Sequence, residues 1–255
     1  MIQLSVNVNK IATLRNSRGG RDPDVLGAVE TCIGVGAPGI TVHPRADQRH
    51  IRPDDVTAIA AHLKSRRPHV EFNIEGDPRP EFVDLVLAVR PDQCTLVPVA
   101  PGEITSQAGW PETTSAEWLG GIVQRLQAAG VRVSLFVDPI EAPVRWARRL
   151  GADRIELYTE PFARAFARGE RDGQDSFAVY AAAAELAASL GLGVNAGHDL
   201  DLENLVLFRS LPHLAEVSIG HALISRALWV GLDRVVREYL AVLDAPGRRS
   251  DYDHK

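Results

Sequence analysis

Short apolar runs alternate with longer amphipathic stretches along most of the chain. A typical repeat is an alanine-rich stretch that ends at Leu190-Gly191 and is followed at once by Leu192-Gly193-Val194-Asn195. Glycine just after a helix adopts the left-handed conformation without steric cost. A continuous apolar run after it suits a strand that is buried on both faces of a parallel sheet. The pattern therefore predicts repeated strand–helix units.

Eight apolar runs qualify as strands, which is the number needed to close a barrel. They are Gln3–Val8, Gly39–Val42, Val70–Ile74, Gln93–Val97, Val131–Val137, Arg154–Tyr158, Gly193–Asn195 and Glu216–Ile219. Helical patterns between them include Asp54–Lys64, Pro80–Val89, Ser115–Ala129, Ala142–Leu150, Phe177–Leu190 and Leu202–Arg209. Eight such units in 255 residues predict an α/β fold, a (β/α)₈ TIM barrel. No Gly-x-Gly-x-x-Gly follows the first strand, which argues against a dinucleotide-binding sheet.

The boundaries of the barrel and its long connections follow from the same pattern. We predict one domain over residues 1–243 and a polar tail over residues 244–255. The connections 98–114 and 159–175 come directly after strands, on the face where barrels place their active sites. Long loops at that position often act as lids, which is the role expected for these two.

Composition narrows the class of protein. The net charge of −5 does not favour a nucleic-acid surface. Two cysteines give neither a disulfide framework nor a zinc pattern, and no histidine pair has the spacing of a metal site. No apolar run approaches the ~20 residues that span a bilayer, and the first residues lack a secretory pattern. We therefore expect a cytoplasmic protein without a metal.

Polar residues concentrate where the predicted strands end, and these ends share one rim in a barrel. They are Asn7, Asn9, Lys10, Arg15 and Arg18 after the first strand, His43, Arg45, Arg49 and His50 after the second, Glu71, Asn73 and Glu75 in or after the third, Thr105 after the fourth, Asp138 after the fifth, Glu156, Tyr158 and Thr159 at the sixth, Asn195 and His198 at the seventh, and Gly220-His221 after the eighth.

This set combines acid–base groups with a phosphate signal. Imidazoles titrate near neutral pH, and a carboxylate in an apolar barrel mouth can act as a base. Residues 218–225 fit a strand, a glycine turn and a helix start, which is a common phosphate site in barrels. For Glu71, a buried ion pair with an arginine explains the residue as well as catalysis does. The residues alone therefore indicate a phosphate-binding barrel with acid–base groups and no particular substrate.

Four longer motifs carry a resemblance. They are Asn7-Val8-Asn9-Lys10-Ile11-Ala12-Thr13-Leu14-Arg15-Asn16-Ser17-Arg18-Gly19, Gly39-Ile40-Thr41-Val42-His43-Pro44-Arg45-Ala46-Asp47-Gln48-Arg49-His50-Ile51, Val194-Asn195-Ala196-Gly197-His198 and Ile219-Gly220-His221-Ala222. As a set they resemble the pyridoxine 5′-phosphate synthase family of vitamin B6 biosynthesis. The resemblance covers roughly residues 3–243.

The resemblance implies an activity and an assembly. The family condenses 3-amino-2-oxopropyl phosphate with 1-deoxy-D-xylulose 5-phosphate into pyridoxine 5′-phosphate, phosphate and water. It implies a TIM barrel with additional short helices, assembled from dimers into a homo-octamer. It implies no metal and no organic cofactor, and partners limited to small phosphorylated substrates.

The resemblance also assigns roles to residues. His43 and Glu71 are the expected proton acceptors, His198 the proton donor, and Glu156 the group that stabilises a developing positive charge. Replacing Glu71 by Gln is accordingly expected to lower turnover roughly 10²-fold or more. Substrate binding is expected of Asn7 and Arg18 for the amino-ketone phosphate, of Arg45, His50 and Thr105 for the deoxyxylulose phosphate, and of Gly220, His221 and Asp199 beside them.

The chain departs from the family pattern at several of these positions. Asn9-Lys10 stands where Asp-His is commoner, Asp199 where Gly is commoner, and Tyr158 where His is commoner. An ammonium group can bind a phosphate or, without its proton, attack a carbonyl. A Schiff-base aldolase that uses Lys10 therefore stays open as an alternative, as does a non-catalytic phosphosugar-binding barrel.

Overall fold

The computed structural model describes residues 1–99 and 108–245, and their strands form one closed parallel barrel in chain order, β1 to β8. The strands are β1 (Gln3–Asn7), β2 (Gly39–Val42), β3 (Glu71–Gly76), β4 (Gln93–Leu96), β5 (Arg132–Val137), β6 (Arg154–Leu157), β7 (Gly193–Ala196) and β8 (Leu214–Ile219). Each overlaps one of the eight predicted runs, and β1 pairs with β8 to close the ring. The TIM-barrel prediction is confirmed.

Eleven helices surround the barrel in the part of the chain that the structure describes. They are α1 (Asn9–Asn16), α2 (Val25–Gly34), α3 (Pro53–Leu63), α4 (Pro80–Val89), α5 (Ala116–Ala128), α6 (Glu141–Arg149), α7 (Glu160–Arg168), α8 (Glu170–Ser189), α9 (Leu205–Phe208), α10 (His221–Val230) and α11 (Leu232–Asp244). Short helices beyond one per strand agree with the implied fold.

The connection 159–175 is not the lid loop that the sequence indicated. It forms α7 and the start of α8. The helix is stable there because Phe162 and Ala165 are buried, and the Phe162 ring lies 4.8 Å from the ring of Phe208. Of the other expected lid, 98–114, residues 100–107 lie outside the described residues.

Two rims organise the barrel. We call the end where the strands finish the carboxyl rim and the end where they begin the amino rim. Between them the interior is polar: Ser5 Oγ lies 2.7 Å from Thr41 Oγ1, and Asn73 Nδ2 donates to Thr41 Oγ1 at 3.3 Å. The apolar side chains of the strands instead face the helices, since successive residues of a strand alternate between its two faces.

The last helix of the described residues, α11, ends close to the predicted domain boundary. Helix α11 continues to Asp244, one residue past the predicted domain boundary, and residues 246–255 of the predicted tail lie outside the described residues. The division at residue 243 stays a prediction. Within the ranges that the structure describes, no helix combines the length and the apolar character needed to cross a bilayer.

Candidate active site

A cavity of about 1030 Å³ opens at the carboxyl rim. Its lining comes from the ends of all eight strands or from the segments directly after them. The lining residues are Asn7, Asn9, Lys10, Thr13, His43, Arg45, Arg49, His50, Glu75, Val97, Ala108, Phe136, Asp138, Glu156, Tyr158, Glu160, Pro161, Arg164, His198, Asp199, Ser218, Gly220 and His221. A volume of this size lies at the upper end of the range typical of small-molecule sites.

Most of the residues expected from the sequence lie around this cavity. Those that line it are Asn7, His43, Arg45, His50, Glu156, His198, Asp199, Gly220 and His221. Arg18 is not among them, because it lies beyond the end of α1 and is exposed. Thr105 lies outside the described residues.

The sequence analysis placed Glu71 among the residues of the active site, and this prediction is wrong, because the structure places Glu71 at the other end of the barrel. Glu71 is the first residue of β3, so it lies at the amino rim, beside Gly39 of β2. There its carboxylate forms an ion pair with Arg132. The role implied by the resemblance fell on Glu71, although Glu71 lies near the start of the predicted run Val70–Ile74 and Glu75 directly follows that run.

Glu75 occupies the position at the cavity that the sequence interpretation gave to Glu71. It lies four residues further along β3 and therefore on the same inward face. Asn7 Nδ2 and Ser218 Oγ each donate to its carboxyl oxygens at 3.3 Å. Burial raises the pKa of Glu75 well above its ordinary value, and the nearby Glu216 adds to this. The turn Gly76-Asp77-Pro78 is the sequence signal that marks Glu75 as the strand end.

Glu156 on β6 is a second buried carboxyl at the same rim. Burial and the neighbouring Glu75 both raise its pKa, and a hydrogen bond with Thr95 opposes this. His198 also opposes the shift, but two close buried carboxyls still favour a state in which at least one of them holds a proton. Such a group can donate or accept a proton near neutral pH.

His43 follows β2 and is held from the backbone. Its N–H donates to Asn9 Oδ1 at 2.9 Å, and the N–H of Asn9 donates to Asn7 Oδ1 at 3.1 Å. Burial, reinforced by the charges of His50 and Arg45, lowers its pKa well below the ordinary histidine value. Among the described residues, its buried Nε2 has no hydrogen-bond partner. The ring is therefore a neutral imidazole with one nitrogen available to a bound molecule.

His50 faces the same part of the cavity with the opposite hydrogen-bonding role. The N–H of Ile51 donates to its Nδ1 at 3.0 Å, so the ring proton must be on Nε2. Burial and the charges of Arg45 and Lys10 lower the pKa of His50 to about 4. His50 is thus a neutral donor on a side of the cavity that is otherwise cationic, which suits a phosphate group.

The start of α10 forms another anion-binding surface. Its N-cap residue, Gly220, provides no side-chain cap, and the first turn has no acidic residue. The free N–H groups at a helix start attract anions. A Cβ at Gly220 would lie 3.1 Å from side-chain and backbone atoms of Asn7, so glycine permits the close approach of β1 to this turn. His221 lines the cavity beside it.

The loop after β7 brings His198 and Asp199 to the cavity. Their side chains meet at 3.0 Å, from Nδ1 to Oδ2, and the His198 ring lies 6.3 Å from the ring of Tyr158. Arg164 and Glu160 of α7 also line the opening. These two residues were not predicted from the sequence, because their segment was interpreted as a loop. Over residues 1–99 and 108–245, no group of three or more His, Cys, Asp and Glu is placed to hold a metal ion.

Comparison with known structures supports the barrel alone. The thiamine phosphate pyrophosphorylase of Pyrococcus furiosus matches with a TM-score of 0.60 at 15% identity, over 95% of this chain and 95% of that one. A phosphoribosyl anthranilate isomerase from Thermus thermophilus matches with a TM-score of 0.56 at 18% identity, over 95% and 98%.

Sequence comparison is more specific. A pyridoxine 5′-phosphate synthase from Flavobacterium johnsoniae is 52% identical over 95% of this chain and 100% of its own length. Another, from Xanthomonas oryzae pv. oryzae, is 52% identical over 95% and 96%. The profile of the family described as "Pyridoxal phosphate biosynthesis protein PdxJ" matches residues 4–245. The chain, with this cavity at its carboxyl rim, therefore belongs to the PdxJ family of pyridoxal phosphate biosynthesis proteins.

Proposed function

We propose that the protein condenses 3-amino-2-oxopropyl phosphate with 1-deoxy-D-xylulose 5-phosphate to give pyridoxine 5′-phosphate, phosphate and water. The observation that carries this proposal is the meeting of His43, Glu75, Glu156 and His198 around one cavity of about 1030 Å³. Imine formation, enolisation, loss of phosphate and ring closure all require proton transfers. A site with several groups in different protonation states can perform them in sequence.

Two places in the cavity suit the two phosphate groups. One is the side formed by the cationic Lys10 and Arg45 with the neutral donor His50, which we assign to the deoxyxylulose phosphate. The other is the start of α10 at Gly220 and His221, which we assign to the amino-ketone phosphate. Asn7 lies next to Gly220 and can hold the same substrate. These assignments keep the roles implied by the resemblance, except that Arg18 lacks a place in the cavity lining.

The protonation states suggest how the proton transfers are divided. His43 is neutral, with an unpaired Nε2, and serves as a proton acceptor. Glu75 replaces Glu71 as the second acceptor, because it is the β3 carboxyl that faces the cavity. Glu156 stabilises a developing positive charge as a carboxylate, once it has released the proton that its raised pKa retains. His198, next to Asp199, is the proton donor to the departing phosphate.

The direct test is incubation of the purified protein with both substrates. We expect pyridoxine 5′-phosphate, detected by mass spectrometry, and one equivalent of inorganic phosphate for each product formed. Omission of either substrate is the control and should give neither product. Binding of deoxyxylulose phosphate without any release of phosphate would instead support the non-catalytic phosphosugar-binding barrel.

A Schiff-base aldolase is the second candidate, because Lys10 lines the cavity. Its charge acts on both His50 and His198, so its amino group lies near the acid–base residues. Borohydride reduction in the presence of each substrate separates the two functions. A stable adduct on Lys10, absent from Lys10→Met, would support the aldolase. The synthase requires no adduct at this residue.

We further propose a cytoplasmic homo-octamer built from dimers, as the family resemblance implies. Large apolar side chains near the end of α10 support self-association: Leu228 is 68% exposed and Trp229 is 87% exposed. Exposed apolar residues that adjoin each other often mark a protein interface. Analytical ultracentrifugation should show eight chains, and Trp229→Glu should reduce that number.

A further inference from the structure

Backbone contacts in the loop after β7 fix the position of His198. A Cβ at Gly197 would lie 2.0 Å from the carbonyl oxygen of Ser218, so only glycine lets this loop pack directly against β8. The N–H of Leu200 then donates to the carbonyl oxygens of Gly197 and His198, at 2.8 and 2.9 Å. The backbone around His198 is therefore fixed relative to the barrel.

Asp199 is fixed by the same loop. Asn204, which is almost fully buried, donates from Nδ2 to the carbonyl oxygen of Asp199 at 3.1 Å. The amide oxygen of Asn204 accepts from the N–H of Asp201 at 2.9 Å, which closes the turn. Since both ends of the turn are bonded, the carboxylate of Asp199 is presented to His198 by the backbone, not by a freely moving side chain.

The contact between the two side chains determines which nitrogen faces the cavity. Asp199 Oδ2 lies 3.0 Å from His198 Nδ1. A carboxylate beside Nδ1 requires the proton on that nitrogen, which leaves Nε2 for a bound molecule. The ring also packs at 6.3 Å from the Tyr158 ring, which limits its rotation. Asp199 therefore sets both the tautomer and the orientation of His198.

Charged groups reach this pair from several elements. The charges of Glu156 on β6 and of Asp199 favour the imidazolium form of His198, whereas the charge of Lys10 on α1 opposes it. The pKa of the Tyr158 hydroxyl, after β6, is raised, so this group contributes no charge near neutral pH. His221 at the start of α10 faces Asp199. Burial alone would lower the pKa of His198, but the hydrogen bond with Asp199 and the two carboxylates raise it above the ordinary value. The same hydrogen bond lowers the pKa of Asp199.

We propose that Asp199 is a positioning residue that orients His198 and keeps its imidazole protonated for donation to the leaving phosphate. This differs from the substrate-binding role expected for residue 199 from the resemblance. It rests on the proposed function for its catalytic part, although the His198–Asp199 pairing itself does not. Because the two side chains are 37% and 40% exposed, solvent screening keeps the effect moderate.

Two measurements on the same variants test the proposal. The first is NMR titration of the His198 ring in the substrate-free protein, with the signal assigned by its loss in His198→Gln. We expect the midpoint in Asp199→Asn to lie at lower pH than in the wild type, and Asp199→Glu to restore part of the difference. Glu203→Gln is the matched control, because it removes an exposed charge from the same loop without facing the cavity.

The second measurement is the pH dependence of turnover. If His198 must be protonated, the alkaline limb in Asp199→Asn moves to lower pH, so turnover at pH 8.5 falls roughly ten-fold while turnover at pH 6 stays within about two-fold. An equal loss at every pH, or an unchanged His198 titration, would overturn the proposal. A protein without synthase activity would give no turnover in any variant, yet the titration would still decide whether Asp199 controls His198.

Discussion

The two rims of the barrel use the same residue type in opposite ways. Glu71 and Glu75 lie on one strand and on one face, four residues apart. At the amino rim Glu71 pairs with Arg132, and Arg154 lies 3.6 Å from the buried Glu216. At the carboxyl rim, the described residues place no arginine or lysine within ion-pair distance of Glu75, which accepts only from Asn7 and Ser218.

This difference shows how position, not residue type, separates structural from chemical carboxyls. The guanidinium of Arg132 compensates the charge of Glu71, whereas burial still raises the pKa of Glu216 beside Arg154. A buried carboxyl with only neutral partners keeps its proton to unusually high pH and is available for proton transfer. The amino rim thus places its carboxyls beside arginines, whereas the carboxyl rim retains groups at the cavity whose protonation can change during a reaction.

The difference between the two rims should have its largest effect on turnover at Glu75. We expect Glu75→Gln to lower turnover by roughly 10²- to 10⁴-fold, because a general base is lost while the hydrogen bonds with neutral partners can persist. Steady-state kinetics with both substrates measures the effect, and circular dichroism checks the fold. Turnover within ten-fold of the wild type would show that Glu75 is not the proton acceptor.

At the amino rim the large effect should fall on stability instead. Arg154→Met removes the cation beside Glu216 and the donor to Asn195 Oδ1, which accepts at 2.9 Å. We expect a loss of about 2 kcal/mol in the free energy of unfolding, since Asn195 loses a donor and the buried Glu216, whose pKa is already raised, loses its neighbouring cation. Urea denaturation measures the loss. If Arg154→Met is as stable as the wild type, the arginine beside Glu216 does not contribute to stability, and the proposed difference between the rims is contradicted.

The raised pKa of Glu75 at the carboxyl rim should also make the stability of the protein depend on pH. An unfolded carboxyl loses its proton near its ordinary pKa, whereas the folded protein keeps the pKa of Glu75 at about 8. Between these values the folded state binds more protons, so the free energy of unfolding falls as pH rises and levels off above about pH 8. In Glu75→Gln the fall should be smaller by about 1 kcal/mol or more, as measured by denaturation at several pH values. An identical pH profile in both proteins would contradict this.

The smallest effect is expected at Glu71. Its side chain and that of Arg132 are 30% and 29% exposed, so the ion pair is partly screened. Glu71→Gln should keep turnover within about two-fold and cost about 1 kcal/mol in the free energy of unfolding or less. The matched pair Glu71→Gln and Glu75→Gln makes the same chemical change at the two ends of one strand. Equal turnover losses in both would end the comparison.

The sequence was sufficient for the barrel, because strands buried on both faces appear as short apolar runs whatever their neighbours are. It was also sufficient for His43 and His198, which follow such runs directly. It was not sufficient to choose between Glu71 and Glu75. The two-residue period gives both the same face, and the role assigned through the resemblance fell on the residue at the start of the strand.

Helix α7 was missed for a different physical reason. Its sequence is rich in charged residues, and Pro161 and Gly169 are typical of loops. In the structure the proline lies in the first helical turn, where it is tolerated, and Phe162 anchors the buried side. Such a helix depends on a partner surface for its stability, and that surface is supplied by residues distant in the sequence.

The closure of the strand ring limits how copies of the chain can associate. β1 pairs with β8, so every strand of the described residues has a neighbour on both sides. No row of unpaired backbone groups is left to which another molecule could add a strand. Any association of copies would therefore use the outer helices or the connecting segments, and such contacts could change without disturbing the hydrogen-bonded ring that holds the cavity.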